Sequence, residues 1–224
     1  FNTFGVAWFA SLFDVSKFEG KVIAIAFDFQ QQDSLDALQK HGINIIHAKN
    51  HYEKRTFTYT KIAEIQKSTH GKYAYFDFDG YFRRDINSIF DLHEEGKFLR
   101  TKNNNDGFVL GDNVAWDDYY EFMKFENFCK LKLSTEYFML SDTGIKYLEN
   151  KFNFVEPTRL TNESDACFVH YTGEIKNYLN SIYDYNFSFS KQFPESFEKW
   201  QKLFHRKTYS VNRKFIFKKK NEKK

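Results

Sequence analysis

The run Tyr73-Ala74-Tyr75-Phe76-Asp77-Phe78-Asp79-Gly80 is apolar until it stops at two carboxylates one residue apart. Strand alternation turns Asp77 and Asp79 the same way, so one strand end can offer two hard oxygen ligands to Mg²⁺ or Mn²⁺. A second segment, His170-Tyr171-Thr172-Gly173-Glu174-Ile175-Lys176, holds an imidazole just after a short apolar stretch, a glycine where backbone can approach a ligand, and a lysine six residues past the histidine. Those are the residue types that a third metal ligand, a phosphate-approach point and a phosphate-neutralising cation require. Each alone has a plainer explanation as a core or surface His, a turn Gly and an exposed Lys. Combined with the double-Asp strand, the set favours a functional site.

The elements that must carry these residues alternate between strand and helix. Lys21–Phe27 reads as a strand, Asp33–His41 as a helix ended by Gly42, and Ile43–His47 as a short strand, a βαβ rhythm. A helix over Thr56–Ser68 leads into the Tyr73–Phe78 strand. Asp85–Asp91 reads as a short helix, Lys97–Arg100 and Gly107–Leu110 as short strands, Asp117–Leu131 and Ser141–Lys151 as helices, and Phe168–Tyr171 as a late strand. The rhythm predicts an α/β fold with an open, largely parallel sheet, in which ligands bind beyond the carboxyl ends of the strands. Asp77 and Asp79 fall there. Trp116, Tyr119, Tyr120, Phe122, Phe125 and Phe128 recur at near-helical spacing and read as core, as do Trp8 and Phe9. His47 and His51 read as surface histidines, and Asp117-Asp118 as a helix start complementing the macrodipole.

Composition narrows the class. The 224 residues are 42% hydrophobic and 20% aromatic, ample for one large domain and against disorder. No apolar run reaches membrane-spanning length, and the start Phe1-Asn2-Thr3-Phe4 lacks both an initiator Met and a signal-peptide pattern, which reads as a fragment. With only Cys129 and Cys167, neither in a paired-ligand spacing, a reducing cytoplasm is the default compartment. The formal charge of +3 is uneven, because residues 202–224 carry a net +9 and leave the rest at −6. That basic extension, interleaved with Phe204, Tyr209, Phe215 and Phe217, fits either an anionic leaflet at the inner membrane surface or a solvated terminus. Nucleic acid is disfavoured, since the body is acidic and no nucleic-acid motif is present.

The pairing of Asp77-Phe78-Asp79 with His170-x-x-Gly173-x-x-Lys176 resembles the GT-A-fold glycosyltransferases of family eight, the glycogenin and bacterial galactosyltransferase type. The resemblance implies a Rossmann-like, mostly parallel sheet flanked by helices over residues 1–200, with 201–224 a basic aromatic extension. It further implies Mn²⁺ or Mg²⁺ held by Asp77, Asp79 and His170, a UDP-sugar donor whose diphosphate meets Gly173 and Lys176, and a glycan or other acceptor. Lys61 matches a basic residue that the family places near the donor sugar, and Asn105-Asp106-Gly107 resembles the segment lining the sugar pocket. Asp85–Phe90 resembles the short helix after the metal motif. Glu136 echoes the family's Asp-Gln segment and is the candidate catalytic residue. The implied activity is retaining hexosyl transfer, in cell-surface polysaccharide or lipooligosaccharide synthesis. The family's uracil-gripping first strand would precede Phe4, and Asn177-Tyr178 stands where the family has Pro-Trp.

Two other readings use the same residues. Phe76–Gly80 also resembles the strand of haloacid-dehalogenase-type phosphatases, with Asp77 as nucleophile, Asp79 as acid/base and Gly111-Asp112-Asn113 as the late acidic motif. Spacing opposes it, because a third of the chain precedes that strand and His170 and Lys176 go unused. A domain that binds nucleotide-sugar without turnover is the non-enzymatic alternative.

Overall fold

The computed structural model describes residues 5–27, 32–48, 54–102, 107–129, 145–149, 152, 154–155, 165–170 and 189–204. The expected βαβ unit is present: β1 (Ile23–Phe27) pairs in parallel with β2 (Asn44–Ala48) through α2 (Gln32–Lys40). Helix α2 stops where Gly42 takes φ +78°, a left-handed turn that favours glycine. Between β2 and the acid pair lies α3 (Lys54–Thr69), followed by β3 (Lys72–Phe76) and β4 (Gly80–Phe82).

Strand β3 belongs to a four-stranded sheet in the order β3-β6-β5-β7, with β5 at Phe98–Thr101, β6 at Phe108–Asp112 and β7 at Ile145–Leu148. A separate three-stranded sheet orders β4 beside β9 (Phe168–His170) and then β8 (Phe154–Val155). Alternation along β3 divides the core. Tyr73 and Tyr75 face an aromatic layer built from α3 and α4 (Asn113–Cys129), where Tyr59, Trp116 and Tyr119 are wholly buried. Ala74 and Phe76 face the larger core, with Phe82, Phe108, Phe168 and α1 (Gly5–Ala10). Trp8 and Phe9 lie in that core, on α1, as expected from sequence.

Three departures have physical causes. The sheets are mixed rather than mostly parallel: among the described ladders β1–β2, β5–β7 and β8–β9 are parallel, whereas β3–β6, β5–β6 and β4–β9 are antiparallel. The short β5–β6 connection leaves no room for a helical crossover, so those two strands pair antiparallel as a hairpin. Residues 145–148, expected inside a helix, form β7, because pairing with β5 satisfies backbone groups on that side of the sheet. Helix α4 begins at Asn113, not Asp117, since Asp112 Oδ1 accepts from the Ala115 N–H at 3.0 Å and caps it.

Helix α5 (Pro194–Phe204), the last among the described residues, docks on α1. Trp200 stacks on Phe13 at 5.5 Å and, with Phe204, packs against Phe9. Asp14, in a single π-turn at Ser11–Val15, accepts from Ser196 Oγ at 2.8 Å, Lys199 Nζ at 2.8 Å and Trp200 Nε1 at 3.0 Å. The helix thus runs past residue 200, and Phe204 is core; residues 205–224 lie outside the described residues. Among the described residues no helix is long and apolar enough to cross a membrane.

His93 tests the packing at the other end of β3. Burial holds its imidazole below the ordinary value of 6.5, with Asp112 and the Lys97 carbonyl pulling partly back. Because the unfolded chain then binds the proton more tightly, stability is full above the unfolded pKa and is lost as pH falls through the folded one. Melting temperature should therefore fall from about pH 7.5 to about pH 5, and His93→Gln should flatten that slope. An unchanged slope in the variant assigns the pH dependence to other groups.

Candidate metal centre

Strand β3 ends at Phe76, so Asp77, Phe78 and Asp79 form the link that carries the chain from one sheet to the other. The link is held at both sides of Asp77. Its N–H donates to the Gly107 carbonyl at 2.8 Å, and its carbonyl accepts from the Trp8 indole N–H at 3.0 Å. Trp8 also lies 5.6 Å from the Phe78 ring, so the residue between the two acids is packed inward. The two carboxylates are left on the same side, as the alternation argument required, though a tethered link rather than a strand presents them.

The histidine arrives from 91 residues away through the pairing of β4 with β9, whose register sets Gly80 opposite His170. Only a glycine permits it. A Cβ at position 80 would lie 2.2 Å from Phe168 Cζ and 2.5 Å from the Val169 carbonyl oxygen. His170, 1% exposed, points Nε2 at the acids, 3.0 Å from Asp79 Oδ1 and 3.4 Å from Asp77 Oδ2. An ionised carboxylate only accepts, so Nε2 bonds to the acids when it carries a proton, and it must be free of that proton to bind a cation.

One ligand atom from each of Asp77, Asp79 and His170 lies within 4.8 Å of the other two, a spacing one cation can span. Two hard oxygens and one imidazole nitrogen suit Mn²⁺ or Mg²⁺. A three-ligand set also leaves coordination positions for substrate oxygens. The carboxylates are 19% and 13% exposed while the imidazole is buried, so the cluster opens to solvent on its acidic side.

The other sequence candidates divide. Gly107 sits against the site through its carbonyl, whereas Asn105, Asp106, Glu136, Gly173 and Lys176 lie outside the described residues. His51 lies outside them too, and so do the side chains of Phe125 and Phe128. Lys61 is on α3, its Nζ 2.6 Å from Glu64 Oε2. Asp112 is at the opposite end of the sheet. The register sets it against Lys72, and Phe76 against Phe108, so four residue steps of about 3.4 Å separate it from the end of β3, and the acid pair lies beyond that end. Its oxygens are engaged in capping α4 and in accepting from the Gly96 N–H at 2.9 Å. Sequence reasoning missed Tyr75, whose hydroxyl donates to Asp77 Oδ1, and the polar role of Trp8. The signal for Tyr75 was available: two residues before Asp77, it shares that side of the strand.

No family model and no curated protein matches the sequence. Solved structures do match. The crystal structure of the glycosyltransferase GlyE from Streptococcus pneumoniae TIGR4 superposes with a TM-score of 0.62 at 16% identity, over 92% of this chain and 59% of that one. Its apo form superposes with a TM-score of 0.59 at the same identity and coverage. This chain therefore spans about 59% of the length of the glycosyltransferase it resembles. The fold is similar to that of this glycosyltransferase, and the Asp77, Asp79 and His170 cluster lies where the chain passes from the four-stranded sheet at β3 to the three-stranded sheet at β4 and β9.

Proposed function

We propose that the chain is the GT-A-type donor domain of a metal-dependent glycosyltransferase that moves a hexose from a UDP-sugar to a glycan or related acceptor. The convergence of Asp77, Asp79 and His170 from two distant segments onto one point carries this reading. A divalent cation bound there would act as a Lewis acid for the diphosphate leaving group, where negative charge accumulates as the glycosidic bond breaks. The protein's own part is orientation. Asp77 and Asp79 supply charge from a link tethered at Trp8 and Gly107, and His170 supplies nitrogen from a rigid strand. Lys176 and Gly173 would meet the phosphates, Lys61 and Asn105–Gly107 the sugar, and Glu136 the reacting centre. This scheme needs no protein nucleophile.

The phosphatase reading loses its third acid, because Asp112 is committed at the far end of β3, and it leaves the buried His170 without a role. Titrating UDP with and without Mn²⁺, followed by a UDP-sugar hydrolysis assay, separates the options. Metal-dependent UDP binding with slow hydrolysis is the expected result. Binding without hydrolysis marks a binding module, and cleavage of a generic phosphomonoester would return the dehalogenase-like reading.

A further inference from the structure

Asp77 is held at more points than a surface carboxylate needs. Its backbone is tied on both sides, by Gly107 and Trp8, and the Tyr75 hydroxyl donates to one carboxylate oxygen, Oδ1. The other oxygen, Oδ2, is the one 3.4 Å from His170 Nε2. Tyr75 is itself fixed. It lies in β3 opposite Val109 of β6, and its ring meets the wholly buried Tyr59 edge-on at 5.2 Å and 87°. Its hydroxyl therefore sits on a sheet rather than on a loop.

We propose that Tyr75 is a positioning residue for the cation site, an inference that rests on the metal-dependent reading above. By occupying Oδ1, the phenol locks the carboxylate torsion and offers the cation Oδ2 alone. Asp77 thus binds through one oxygen, and the coordination position a two-oxygen grip would take stays available to substrate. An outer hydrogen bond of this kind typically changes metal affinity by about 10- to 100-fold. Preorganisation on a rigid element explains the size, since without the phenol the carboxylate must give up torsional freedom when the ion arrives.

The test compares the full chain with Tyr75→Phe, which keeps the ring and removes the donor. Free Mn²⁺ is counted by electron paramagnetic resonance, and UDP-sugar hydrolysis is followed against Mn²⁺ concentration. The expected result is a rise of about 10- to 100-fold in the Mn²⁺ dissociation constant and in the metal activation constant. Melting in metal-free buffer stays close to wild type. A residue that merely packed would leave metal affinity unchanged, and equal affinity in both proteins overturns the proposal. Should wild type itself bind no Mn²⁺, the cation reading falls first and this inference with it. If Tyr75→Phe does not fold, 3-fluorotyrosine at position 75 keeps ring and hydroxyl while changing donor strength, and an unmoved Mn²⁺ dissociation constant there overturns the proposal equally.

Discussion

Asp79→Asn is expected to lower the proposed Mn²⁺-dependent UDP-sugar turnover by about 100- to 1,000-fold while leaving the fold intact. The two halves of this expectation have separate causes. Turnover falls because the amide removes one of two carboxylates that would hold the cation against the leaving group, and such electrostatic contributions are large where water is excluded. The fold persists because asparagine has the shape of the aspartate it replaces, so the exchange at Asp79, 13% exposed, opens no cavity and overpacks nothing. The amide oxygen can still accept from His170 Nε2, and one of two neighbouring negative charges is gone. Melting in metal-free buffer should shift by no more than about 1–2 °C, the scale of a substitution that preserves shape. A drop of 10 °C or so would instead mark Asp79 as a structural residue and remove the site from consideration.

The second large effect is mechanical. Gly80→Ala places a methyl group 2.2 Å from Phe168 Cζ and 2.5 Å from the Val169 carbonyl oxygen. A ring can tilt, but a strand backbone cannot step aside without breaking its ladder. Overpacking of this kind costs roughly 1–3 kcal/mol, and contact with backbone argues for the upper end. For a chain of this length that is about 6–12 °C in melting temperature. Because Gly80 is the register partner of His170, the same displacement draws the imidazole away from the acids. Loss of Mn²⁺ binding should accompany the lowered melting temperature. Retained wild-type affinity for Mn²⁺ in a destabilised Gly80→Ala protein would show that the strand yields elsewhere and that β4–β9 pairing does not set the ligand distance.

The parts of the site that were readable in the sequence are those whose chemistry is local. Asp77 and Asp79 announce themselves by spacing alone, and the β1–α2–β2 unit by an apolar run, a helical period and Gly42. His170 was readable only through its resemblance to a known pattern, since nothing in a sequence states that a strand near residue 170 folds back on residue 80. Tyr75 and Trp8 were passed over as packing residues because an aromatic ring in an apolar run buries area whether or not its polar atom has a task. Strand β7 was unreadable for a different reason. Ile145-Lys146-Tyr147-Leu148 has no decisive period, and its conformation is decided by β5 alongside it. The start of α4 was misplaced by four residues because Asp117 and Asp118 looked like first-turn acids, while Asp112, closing a strand, was already serving as the cap.

The seating of α5 against α1 bears on where this protein can be cut. Composition turns basic just after residue 200, which invites a truncation there. Yet Trp200 and Phe204 roof the aromatic side of α1, and α1 in turn reaches the Asp77 carbonyl through Trp8. A piece ending at the compositional seam would remove Phe204 from that roof and uncover part of Phe9. Any shortened form should keep every residue through Phe204, so the last described helix is better regarded as a closing wall of the folded body than as the root of a tail.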